Sequence, residues 1–224
     1  MLEIIGMCVE DAKVIESCGG DRIELVSALT EGGVTPSFGL IESVVNSVNI
    51  PVNVMIRHHA KSFVYSNEDI AIMEKDIEIA KSIGVNGVVF GMLDINNNID
   101  EDSLKILLNK CDGLDVTFHK AIDETNCLES IEIIKKYKNI TNILTAGGMG
   151  NIKDNIDVIK SMINNYKGIN ILLGGGLNFD NIEEIKNLTK ATDFHFGTAV
   201  RVDKNPFGEI DEVKLRKLVN IIHK

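Results

Sequence analysis

The segment Leu114–Asp123, Leu-Asp-Val-Thr-Phe-His-Lys-Ala-Ile-Asp, carries an imidazole where an extended chain can use it. In a strand, alternate residues share a face. Val116 and Phe118 therefore form an apolar face, and Thr117 and His119 form the other. A histidine on a partly wet inner face titrates near neutrality and can move protons. Other segments send polar groups the same way: Glu24 from Arg22–Val26, Asn53 and Arg57 from Pro51–Arg57, Thr145 at the end of Asn142–Thr145, and His195 between Phe194 and Phe196. Alternation thus predicts a site in which His119 is the acid/base, Glu24 orients it and Arg57 holds an anion, with Thr117 and His195 beside them. Lys120 has the opposite parity to His119 and is expected to point away, which leaves a Schiff-base lysine unsupported. A purely structural buried Arg–Glu pair is the alternative; burying several charges without a use or full pairing is costly.

Glycine tracts follow three of these segments: Gly147-Gly148, Gly174-Gly175-Gly176 and Gly197. Bare backbone amides at such turns can cradle an anion. With Arg57, Arg22, Asn53 and Thr145 they predict a carboxylate or phosphate ligand. The same glycines also serve tight turns, so the motif is not specific by itself. For soft metals, Cys8 stands next to Met7, a thiolate–thioether combination suited to Cu(I). A lone buried cysteine is more often a small core residue. His58-His59, after the third strand, is a second place where a metal could be held or the rings simply exposed.

These residues need a scaffold that points many strands at one place. Strand-like segments are predicted at Leu2–Cys8, Arg22–Val26, Pro51–Arg57, Gly87–Gly91, Val116–His119, Asn142–Thr145, Ile169–Leu173 and Asp193–Phe196. Helical periodicity fills the intervals, with Thr35 expected to cap the helix opened by Pro36 and Ser66 the helix Asn67–Ile83. Eight alternations in 224 residues predict an α/β fold, a single (β/α)8 TIM barrel over 1–224 with the site at the C-terminal rim. A doubly wound sheet is the competing architecture, and the Gly-x-Gly-x-x-Gly turn it usually carries after strand one is absent.

Composition narrows the partners. A net charge of −10 argues against general nucleic-acid binding. No apolar run is long enough to span a bilayer, and the N-terminus lacks a signal-peptide pattern, so a cytoplasmic protein is expected. Cys8, Cys18, Cys111 and Cys127 show no Cys-x-x-Cys spacing and read as free thiols.

Several motifs resemble the copper homeostasis protein CutC family. They are Asp21-Arg22-Ile23-Glu24-Leu25, Glu31-Gly32-Gly33-x-Thr35-Pro36-Ser37, Val54-Met55-Ile56-Arg57, Phe63-Val64-Tyr65-Ser66, Val89-Phe90-Gly91, Thr117-Phe118-His119-Lys120-Ala121 and Leu144-Thr145-x-Gly147-Gly148. The resemblance implies a TIM barrel, a homodimer or higher homo-oligomer, and an association with copper tolerance and copper(I) binding, with Cys8 as the metal ligand. Gly6, Val26 and Lys120 replace the Glu, Cys and Arg often found in the family. With Val26 in place of a cysteine, a Cu(I) site would need Met7, Met55 or a second chain. Two functions follow: Cu(I) binding and trafficking, or acid–base catalysis on a small anionic metabolite.

Overall fold

The computed structural model describes residues 1–224 and shows a closed barrel of eight parallel strands in sequential order. The strands are β1 (Leu2–Gly6), β2 (Arg22–Leu25), β3 (Val52–Met55), β4 (Gly87–Phe90), β5 (Asp115–Phe118), β6 (Ile140–Thr145), β7 (Asn170–Leu173) and β8 (Asp193–Phe196). The helices are α1 (Val9–Cys18), α2 (Phe38–Val45), α3 (Asn67–Ile83), α4 (Glu101–Leu108), α5 (Cys127–Ile134), α6 (Ile156–Asn165), α7 (Ile182–Thr189) and α8 (Glu212–Ile222). No helix is long and apolar enough to cross a membrane.

Strand alternation sorts the core. Ile4, Ile23, Leu25, Val54, Val88, Phe90, Val116, Phe118 and Phe194 face outward and pack with the inner faces of the helices. Inside the barrel, Ile5, Val26, Met55 and Val89 form a smaller apolar cluster on the β1–β4 side. Polar groups dominate the remaining lumen, where Glu3, Glu24, Asn53, Thr117, Asn142 and His195 are buried beside Leu144. β8 closes on β1 with Glu3 opposite His195.

Local chemistry sets the helix starts. Ser66 caps α3 in a reciprocal box with Asp69, a device that satisfies two free helix amides. α2 starts later than Pro36 suggests: Ser37 is its cap, accepting from the Leu40 amide at 3.3 Å. Thr35 instead accepts from the Arg57 amide at 2.9 Å, tying the β2–α2 loop to the end of β3. α7 begins at Ile182, after Asn178 and Asp180 have formed a side-chain turn in which Asn178 Oδ1 accepts from the Asp180 amide at 2.8 Å. Across the barrel closure, Arg201 is almost wholly buried, donating to Asp11 at 2.8 Å and to the Ile5 carbonyl at 3.1 Å.

Candidate active site at the barrel mouth

A cavity of about 590 Å³ opens at the C-terminal mouth. Glu24, Met55, Arg57, His119, Lys120 and His195 reach it, together with the loops after β7 and β8. This is where barrel strands deliver functional side chains, because each strand's C-terminal end meets a loop free to vary.

Glu24 and His195 on one wall end a chain of four ionisable groups that runs back into the barrel. Arg22 Nε donates to Glu3 Oε2 at 2.5 Å, and Glu3 Oε1 lies 2.8 Å from His195 Nδ1. His195 Nε2 is then 3.7 Å from Glu24 Oε2. Burial alone would raise Glu3, but Arg22 and His195 outweigh it and hold this carboxylate below its usual range. Glu24 differs: burial dominates, with Glu3 adding to it, and the attraction of His195 and Arg22 does not compensate. Its pKa is pushed up to about 7. Burial works to lower His195, yet Glu24 and Glu3 together raise it above its ordinary value. Glu24 Oε1 has no hydrogen-bond partner in the protein.

On the other wall, His119 Nδ1 accepts from the Ala121 amide at 3.2 Å. That bond places the proton of the neutral ring on Nε2. Burial first, and Arg57 second, pull the His119 pKa down to about 3, so the ring is neutral at physiological pH. Phe63 packs against it at 4.9 Å between ring centroids and also lies 4.9 Å under the Arg57 guanidinium. Arg57 Nη1 is fixed by the carbonyls of Glu31 and Gly33 at 2.8 and 3.0 Å. His119 Nε2 and Arg57 Nε have no partner in the protein.

Thus His119, Glu24, Arg57 and His195 converge on one cavity, but in a different pairing from that expected. Glu24 faces His195, not His119, because β2 lies beside β1, which in turn pairs with β8. Arg22 pairs with Glu3 and does not reach the cavity. Asn53, fully buried, accepts from Asn86 at 3.0 Å and also lies outside the lining, as does Thr117. Thr145 is out of phase with the lumen: Leu144 lines the cavity, and the Thr145 hydroxyl donates to Asp123.

The Gly147-Gly148 turn does hold an anion, but it is the protein's own. Asp123 accepts from the Ala146 amide at 3.0 Å and the Gly148 amide at 3.2 Å, and it pairs with Lys120. The Gly147 amide is taken by Thr145 Oγ1 at 2.8 Å. Gly174 also gives its amide away, to the Thr145 carbonyl at 3.0 Å, while Gly175, Gly176 and Gly197 line the cavity. Lys120 reaches the mouth after all, because it lies past the end of β5 in a 3-10 turn (Lys120–Glu124) where strand parity no longer applies. Glu3 and Asp123 are the residues that alternation missed. A charge inside the apolar run Leu2-Glu3-Ile4-Ile5 is the signal that would have found the first.

Cys8 is outside the cavity. It caps α1, where Sγ accepts from the Asp11 amide at 3.4 Å. Burial, with Asp11 and Glu10 adding to it against the amide, raises its pKa and disfavours the thiolate. The other cysteines are buried. Met55 reaches the mouth and Met7 packs on the same apolar cluster, and no thiol lines the cavity. The donors that do cluster are Glu3, Glu24 and His195, with ligand atoms within 4.8 Å of one another. Oxygen and imidazole donors suit a borderline divalent ion rather than Cu(I), and both Glu3 oxygens are already engaged by Arg22 and His195. The donor set therefore does not fit a buried Cu(I) centre. His58 and His59 lie off the cavity, each 3.5 Å from Asp69.

Fold and site together define a (β/α)8 barrel protein with a charged, ligand-sized mouth. The chain belongs to the CutC family, whose model matches residues 1–200. It is 38% identical over 200 residues to the human copper homeostasis protein cutC homolog, covering 87% of this chain and 72% of the relative. It is 35% identical over 198 residues to the family protein CutC of Glaesserella parasuis serovar 5 (strain SH0165), covering 86% and 81%. The crystal structure of CutC from Streptococcus agalactiae superposes with a TM-score of 0.81 at 31% identity, covering 88% of this chain and 97% of that one. Phosphoribosyl anthranilate isomerase from Thermococcus kodakaraensis shares the fold, with a TM-score of 0.65 at 14% identity over 100% and 98% of the two chains.

Proposed function

We propose that the barrel mouth binds a small anionic metabolite and catalyses proton transfer next to a carbonyl group. The observation that carries this reading is Glu24: a buried carboxyl on the cavity wall, with Oε1 unpartnered and a pKa of about 7. A general base works best when its pKa lies near the operating pH. In this mechanism the Glu24 carboxylate removes a proton from the carbon beside the carbonyl. The electron pair moves to the carbonyl oxygen, and the neutral His119 Nε2–H donates a hydrogen bond to that developing oxyanion. Glu24 then returns a proton to the same carbon as the electron pair on oxygen re-forms the carbonyl, so no net charge is left on the protein. A neutral imidazole is a suitable donor because it need not be deprotonated by the alkoxide it stabilises. Arg57 supplies positive charge beside it, and His195, steadied by Glu3, tunes Glu24.

The test is solvent exchange. Small carbonyl-bearing carboxylates and phosphates are incubated with the protein in deuterium oxide and followed by proton NMR. Protein-dependent loss of a C–H signal is expected, lowered by about a hundredfold or more in Glu24→Gln. Exchange that is as fast in Glu24→Gln as in the parent chain, or absent for the whole panel, rules the reading out.

A second reading is Cu(I) binding through Cys8, with cytoplasmic trafficking of the metal by a homo-oligomer; the relatives' names support its link to copper homeostasis and nothing finer. Here Cys8, as the thiolate, would be the residue that holds the metal. Competition with a Cu(I)-selective chelator is the check, and equal Cu(I) retention by Cys8→Ser and the parent chain removes this site.

A further inference from the structure

The loops after β6 and β7 are built alike, and only one of them has an internal anion. In the first, Asn155 Nδ2 donates to the Ala146 and Gly148 carbonyls, both at 3.1 Å. The Ala146 and Gly148 amides of the same turn meet the Asp123 carboxylate, which Thr145 and Lys120 also hold. In the second, Asn181 Nδ2 donates to the Gly176 carbonyl at 2.9 Å, and Asn178 Nδ2 to the same oxygen at 3.2 Å. A trans peptide points its N–H opposite to its C=O. Leu177 N–H therefore points away from these asparagines, toward the mouth that Leu177 lines. The amides of Gly175, Gly176 and Leu177 donate to no backbone or side-chain group, and neither does that of Gly197 across the gap. Gly175 and Gly176 have φ of 92° and 79°, so this turn is open only to residues that tolerate left-handed backbone.

Positive charge is placed at the same spot. Lys120 Nζ lies against Gly175, so close that a Cβ there would sit 2.6 Å from it. Lys204 reaches the cavity from the loop after β8, and Thr198 lines it. Asp123 is served by the amides of one such loop together with the Thr145 hydroxyl and Lys120. Donors from two loops plus the Lys204 ammonium, and the Lys120 ammonium that Asp123 already pairs, suit a tetrahedral dianion with three accepting oxygens.

We propose that this part of the mouth is the subsite for a phosphate group carried by a small organic ligand, held by the Gly175–Leu177 and Gly197 amides with Lys120 and Lys204. The proposal rests on reading the mouth as a ligand site and names the class of ligand: a phosphomonoester. The full chain, isotopically labelled, is titrated with inorganic phosphate, with glycerol phosphate as the ester, and with acetate, while its amide NMR signals are followed. Saturable shifts of Gly175, Gly176, Leu177 and Gly197 are expected with both phosphates, tighter for the ester, and much weaker with acetate. Lys204→Gln should weaken ester binding by roughly three- to tenfold, the scale of one charge-assisted contact. Because Lys120→Gln also disturbs Asp123, Lys204→Gln is the decisive variant. Unmoved loop amides, acetate binding as tight as phosphate, or unchanged affinity in Lys204→Gln overturns the subsite. Equal affinity for the two phosphates overturns the ester. The titration does not depend on Glu24, so it can succeed or fail separately from the proton-exchange experiment.

Discussion

His119 shows how much the surroundings decide about a residue. Its side chain type promises a proton carrier near neutrality, yet burial and Arg57 hold it neutral down to about pH 3. The unfolded chain, with a value near 6.5, binds a proton on this ring over the window from about 6.5 to 3, while the folded chain does not. Folding stability from His119 is therefore present above the unfolded pKa and lost as pH falls through that window. Glu24 acts in the opposite sense: its raised pKa makes stability fall as pH rises from about 4.5 to 7. Comparing the parent chain with His119→Gln by urea unfolding at pH 7, 6, 5 and 4 isolates the first effect. The parent should lose ground relative to the variant by up to about 1.4 kcal/mol per pH unit. A stability difference that does not change with pH would mean that His119 titrates normally. Alternation located His119, Glu24, Arg57 and His195, since side-chain parity is a local property of each strand. It did not say which of them touch.

At the scale of elements, the strand ends are where sequence reading loses its grip. Lys120 and Asp123 follow β5 in a 3-10 turn, so their directions come from the turn and from the loop it meets. Asp123 joins that turn to the loop after β6 through Thr145, Ala146 and Gly148, as a built-in anion for glycine amides. Asp123→Ala should cost about 3 kcal/mol, because it leaves buried donors and a lysine without an acceptor. Denaturant titration checks this, and added formate should restore part of the loss by occupying the same place. A cost below about 1 kcal/mol would show that these bonds are replaced by solvent at little penalty. The glycine tracts themselves were legible. Their division of labour was not, because Gly147-Gly148 and Gly175-Gly176 look equivalent until their acceptors are seen.

At the scale of the whole molecule, the period of eight strands and eight helices points to the barrel, and the β1–β8 pairing closes it. A chain of 224 residues alternating in this way must bury two sheet faces, and closing the sheet on itself does so with no exposed edge. That much, the inward parity of Glu24, Asn53, Thr117 and His195, and the family motifs are properties of local order along the chain, so the sequence by itself determined them. Closure decided the rest. Strands β1 and β8 bring Glu3 against His195 across a separation of 192 residues, and Glu24 meets His195 from the next strand. The pKa of Glu24, the neutral state of His119 and the loss of Arg22 from the mouth all depend on these neighbours and their depth. Desolvation and Coulomb interaction act through space over a few ångströms, and only the tertiary structure sets those distances.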